Sequence, residues 1–92
     1  MPEPAAKLRK HSVKLSGHST SLSLEGVYWD ALKEVAGEMD LSMNGLIERI
    51  DKERSGNLSS AVRVFLFQYY RQQAAQGGAA RLPATPPAGA EP

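Results

Sequence analysis

The chain is 92 residues long, 41% hydrophobic and 23% charged, with 11 lysines and arginines against 10 acidic residues and no cysteine. This length suits one small domain and leaves little room for the lobes that enclose an enzyme cleft. The missing cysteines exclude disulfides and thiolate metal sites, and they fit a reducing compartment.

The net charge of +1 conceals an uneven distribution. Met1 to His18 carries Lys7, Arg9, Lys10 and Lys14 against Glu3, a net +3. Ser19 to Arg71 carries six basic residues against eight acidic ones, a net −2, and Arg81 balances Glu91 in the remainder. A basic front on a near-neutral body suits a polyanionic partner. The start of the chain lacks the apolar stretch of a signal peptide, and no run approaches the ~20 apolar residues of a membrane span. The chain therefore reads as soluble, cytoplasmic and without a membrane partner.

Composition divides the chain into three parts. Residues 1–9 read as a disordered basic arm, 10–73 as the folded domain and 74–92, rich in Ala, Gly and Pro, as a disordered tail. A folded core of roughly 50–60 residues buries only about 60% of its unfolded surface, which leaves a monomer marginal and points to self-association.

Within the domain, Ser19 to Leu24 alternates with period two. Ser19, Ser21 and Ser23 fall on one face and Thr20, Leu22 and Leu24 on the other, the pattern of a half-buried strand. The earlier alternation from His11 to Ser16 reads either as a second short strand, joined through a type II′ turn at Gly17-His18, or as an extended arm. The period then becomes helical, with Tyr28, Leu32, Val35, Ala36 and Met39 forming one apolar stripe over about Glu25 to Glu38. Trp29 lies beside that stripe as a large core residue at the edge of a dimer interface.

Asp40-Leu41-Ser42 makes a tight connection, and Ser42 is placed to cap a second helix over about Met43 to Glu53. Its buried stripe is Met43, Leu46, Ile47 and Ile50. Ser55-Gly56-Asn57 stops that helix and supplies a candidate cap for a third. Leu58, Val62, Phe65, Leu66 and Tyr69 carry the third helix to about Gln73.

A lone amphipathic strand can neither satisfy its edges nor bury Leu22 and Leu24, and a second copy of the chain supplies the missing partner. The order strand, helix, Ser-capped turn, helix over Ser19 to Ile50 resembles a ribbon-helix-helix domain of the Arc/MetJ/CopG superfamily. The stretches KHSVKLSGHSTSLSLEGVYWDALKEVA and NLSSAVRVFLFQYYR resemble a subfamily of small bacterial ribbon-helix-helix proteins. The fold implied is mostly α with one short β-strand: a homodimer with an intersubunit antiparallel ribbon and an added third helix. Its dimer core would comprise Leu22, Leu24, Trp29, Leu32, Leu46, Ile47 and Ile50.

The resemblance implies a sequence-specific, DNA-binding transcriptional regulator, a repressor rather than an enzyme, associated with the nucleoid. Its partners would be double-stranded DNA and a second copy, with higher-order assembly on DNA. Ser19, Ser21 and Ser23 map onto the base-reading strand positions, and Ser42, Met43 and Asn44 onto the phosphate-anchoring helix N-terminus. Lys7, Arg9, Lys10, Lys14 and His18 would add phosphate contacts. Short serines read base edges less sharply than bidentate Arg or Asn side chains do. His11 and His18, seven residues apart without further ligands, make no metal site, and no cofactor is expected. The alternative reading is a protein-interaction module, antitoxin-like or an adaptor, in which Phe65, Phe67, Tyr69 and Tyr70 form an exposed partner surface.

Overall fold

The computed structural model describes residues 4–76. Of the expected terminal segments, residues 1–3 and 77–92 lie outside that range. Five elements follow in order: strands β1 (Leu8–Leu15) and β2 (His18–Glu25), then helices α1 (Gly26–Glu38), α2 (Met43–Glu53) and α3 (Leu58–Ala75).

The expectation of a single strand needs correction. β1 and β2 pair antiparallel within one chain, in a register running from Leu8 opposite Glu25 to Leu15 opposite His18. β1 begins at Leu8, so Leu8 and Arg9 belong to the sheet rather than to a disordered arm. The turn also sits one residue earlier than Gly17-His18. Its central residues are Ser16 (φ 52°) and Gly17 (φ 84°), and positive φ at both positions is the type I′ signature, whose twist matches that of the flanking strands. Glycine adopts this conformation without strain, whereas Ser16 does so at some cost. The Ser16 N–H donates to Glu48 Oε2 at 3.1 Å, which helps hold the turn.

α1 starts without a side-chain cap, because Glu25 at its N-cap makes no capping bond. The chain before β1 takes over that role. The N–H groups of Gly26 and Val27 donate to the carbonyls of Lys7 (2.9 Å) and Ala5 (3.0 Å), satisfying two donors that a helix start otherwise leaves without partners. Its other end closes through Leu41 N–H to the Ala36 carbonyl and Asp40 N–H to the Gly37 carbonyl, with Asp40 at φ 61°. These are the two hydrogen bonds of a Schellman motif.

Ser42 and Asn57 cap α2 and α3 as their sequence positions predict, accepting from Gly45 N–H at 2.9 Å and from Ser60 N–H at 2.8 Å. α3 continues two residues past Gln73 to Ala75.

One core unites the sheet and the helices. Val13, Leu15, Leu22 and Leu24 from the hairpin meet Trp29, Leu32, Val35 and Ala36 from α1, Leu46, Ile47 and Ile50 from α2, and Leu58, Val62 and Leu66 from α3. All seven residues expected to form a dimer core are thus buried inside a single chain. The hairpin is the reason, since β1 supplies the strand partner that a second copy was expected to provide. Trp29, 6% exposed, donates from Nε1 to the Arg9 carbonyl at 3.0 Å and meets the His11 ring edge-on, so it packs on the sheet of its own chain. Thr20, expected on the buried face, is exposed near the turn end of β2, beyond the reach of the helices.

Two phenols tie α3 to α1. Tyr69 and Tyr70 donate to Glu38 (2.5 Å) and Glu34 (2.6 Å). Burial, and secondarily the Glu34 carboxylate, hold the Tyr70 hydroxyl far above its ordinary pKa, so it remains a donor. Phe65, Tyr69 and Tyr70 are partly buried against the core and Phe67 alone of that group is largely exposed, so the four do not form one exposed aromatic surface.

Candidate nucleic-acid interface

Directly opposed residues of an antiparallel pair share a face. The buried pattern of Val13, Leu15, Leu22 and Leu24 assigns one face of the hairpin to the core. The other face then presents four cross-strand pairs: Leu8 with Glu25 at its open end, then the polar pairs Lys10 with Ser23, Ser12 with Ser21, and Lys14 with Ser19. Of the six residues in these polar pairs, Ser23 is half-buried and the other five are exposed. Lys14 lies four residue steps along the strand from Lys10, about 13 Å, and no acidic residue stands between them. The face is a hydroxyl patch with an ammonium near each end.

Five of the residues expected at the interface therefore meet on one surface: Lys10, Lys14, Ser19, Ser21 and Ser23. Ser12 joins them, although sequence reasoning passed over it, because its place became visible only with the strand register. Arg9 and His18 lie on the opposite side of the sheet, Arg9 across from Leu24 and His18 across from Leu15. Lys7 precedes the sheet and gives its carbonyl to the start of α1.

The α2 N-terminus lies against the free edge of β1. The Asn44 side chain accepts from the Lys14 N–H and donates to the Lys14 carbonyl, both at 2.8 Å. These are the two bonds a neighbouring strand residue would make, so the amide acts as a one-residue extension of the sheet. Ser42 Oγ is engaged by Gly45, and Met43 is half-buried. Of the expected anchors Ser42, Met43 and Asn44, the two polar side chains thus hold local structure, which leaves backbone N–H groups as what this end can offer an anion.

Beyond the far end of the face, Glu25 pairs with Arg63 at 2.9 Å, and the Arg63 guanidinium lies 5.6 Å from the Tyr28 ring centre. A hydrogen bond from its own backbone, and then Arg63, hold the Glu25 carboxyl below its ordinary value of 4.5. The linkage sign follows from that lowered value. The ion's contribution to stability is complete above pH 4.5 and is lost as pH falls through the lower folded value. Acid titration of unfolding should accordingly show a shallower loss of stability below pH 4.5 in Glu25→Gln than in the parent; identical acid limbs would remove this role.

Among the described residues, the cations and hydroxyls of the hairpin face are the groups gathered on one exposed surface that point to nucleic acid. Among the described residues, no helix is long and apolar enough to cross a membrane. No curated protein matches the chain. Among solved structures, an uncharacterized protein of Bordetella pertussis Tohama I is similar, with 30% identity and a TM-score of 0.68 over 87% of this chain and 66% of that one. The family model of the ribbon-helix-helix domain matches residues 8–70, from the first residue of β1 well into α3, and the chain belongs to that family.

Proposed function

We propose that the protein is a DNA-binding transcriptional regulator, a cytoplasmic, nucleoid-associated repressor that reads the major groove as a homodimer. Family membership favours DNA binding in general. The observation that carries the reading for this chain is the hairpin face, with Ser12, Ser19, Ser21 and Ser23 between Lys10 and Lys14. A two-stranded ribbon fits the major groove, where hydroxyls reach base edges and flanking ammonium groups reach phosphates.

The edge of β2 supports the dimer. Alternation in the ladder turns the backbone groups of Ser19 and Ser21 away from β1, and Ser59 Oγ caps this edge only at the Ser23 carbonyl. No charged side chain guards Ser19 to Ser23, in contrast to the lysines that protect many natural strand edges. Two copies joined there about Thr20 form a four-stranded sheet, with serines at its centre and lysines on both flanks.

Titration of the purified protein with DNA from upstream of its own gene at low salt is expected to give saturable binding. The log–log salt dependence should steepen by about 0.9 for each phosphate neutralised. Absence of binding at low salt would overturn the proposal.

A further inference from the structure

The outer edge of β1 carries a second, unrelated opportunity. Asn44 shows that the N–H and C=O of Lys14 point away from β2, and the two-residue alternation of a strand directs those of Ser12 and Lys10 the same way. Among the described residues, no hydrogen bond joins these four outward groups to a partner. Beside them runs a groove of about 290 Å³ between β1, α1 and α2, floored by Trp29, Met43 and Ile47 and bordered by His11 and Lys33. The edge is thus an open strand position with a shaped, partly apolar trough along one side. At its turn end, Asn44 already occupies the place of an added strand.

We propose that this edge binds an extended acidic peptide segment of another protein by strand addition. Backbone pairing at Lys10 and Ser12 would supply register, and alternate side chains would drop into the groove. Charge selects the occupant. β1 holds Arg9, Lys10 and Lys14 and no acidic residue, and Lys33 adds a cation at the groove against Asp30. The β1 strand of a second copy would bring the same cations onto this edge and be repelled. A phosphodiester backbone has no donors for the outward carbonyls of Lys10 and Ser12, so nucleic acid leaves half of the edge unpaired. A peptide with glutamates at alternate positions satisfies both the backbone and the charge.

The probe is a blocked octapeptide of alternating valine and glutamate, with a valine and lysine counterpart as its control, titrated into the full chain. Amide hydrogen exchange is read at each residue. The acidic peptide should slow exchange at Lys10 and Ser12 by at least about tenfold, with the lysine peptide inert. Ser12→Pro should abolish the effect. It removes an outward N–H that the β1–β2 ladder does not use, a position where an edge strand tolerates proline. Lys33→Glu, an exposed substitution, should weaken binding by about tenfold without touching the strand.

Two results would overturn the proposal. One is no protection by the acidic peptide. The other is protection already present without peptide and rising with protein concentration, which would make a second copy the occupant. Both are read without DNA, so neither depends on whether the serine and lysine face binds it.

Discussion

Leu24→Ala should lower the stability of the protein by about 3–5 kcal/mol, in the upper part of the range for buried leucine truncation. Leu24 is 0% exposed. It lies in β2 immediately before α1, where the sheet meets α1 and α3. The core it belongs to is assembled from both strands and all three helices, so refilling the space would require separate elements to shift together, and incomplete collapse is what makes such cavities costly. A domain of this size has a total stability of only about 4–10 kcal/mol, so the variant should be largely unfolded near its growth temperature. Denaturant titration checks this, with the midpoint falling and the slope unchanged. A loss near 1 kcal/mol would indicate that the hairpin is not packed as described. Because the core closes within one chain, the parent should remain folded and unfold cooperatively even when diluted to monomer, with pairing through β2 adding stability only as concentration rises, whereas a fold that required its partner would be lost on dilution.

That expectation differs from the intertwined dimer suggested by the sequence, and the difference traces to one strand. The three helices were legible because their apolar stripes persist for several turns and because Ser42 and Asn57 stand where caps belong. β1 was much less legible. Only Val13 and Leu15 among its eight residues are buried, too few repeats of period two to separate a strand from an arm. The turn gave little help, since nothing about Ser16 alone announces a positive φ, and the hydrogen bond that holds it comes from Glu48, 32 residues away. With β1 unassigned, β2 had to find its partner in a second copy.

The candidate interface was half legible for the same reason. The alternation of β2 correctly set Ser19, Ser21 and Ser23 on one face. Which cations share that face depends on the register of β1, where a slip of one residue exchanges Lys10 and Lys14 for Arg9 and His11. The role of Asn44 was illegible, because it rests on a contact between residues 30 apart in sequence. Its place at the start of α2 suggested a phosphate ligand, whereas its amide completes the sheet edge.

The register also makes the DNA-binding proposal sharper than a basic arm would. Lys10→Ala/Lys14→Ala should weaken DNA binding by about two to three orders of magnitude at ~0.1 M salt and flatten the salt slope by nearly 4, about 0.9 for each of the four lysines of a dimer. Both side chains are exposed and neither enters the core, so the unfolding midpoint should move little. Arg9→Ala provides the discriminating comparison. It removes as much charge as Lys10→Ala alone and from the same strand, yet from the opposite side of the sheet, so it should change the slope far less than that single lysine does. Comparable losses from Arg9 and Lys10 would mean that DNA is held by the basic segment as a whole, with no preference for one face. A steep loss confined to Lys10 and Lys14 would leave the serines between them as the groups closest to the bases. Larger donors at Ser12 or Ser21 should then change which sequences are bound while leaving the salt slope near its parent value, because base contacts release no counterions.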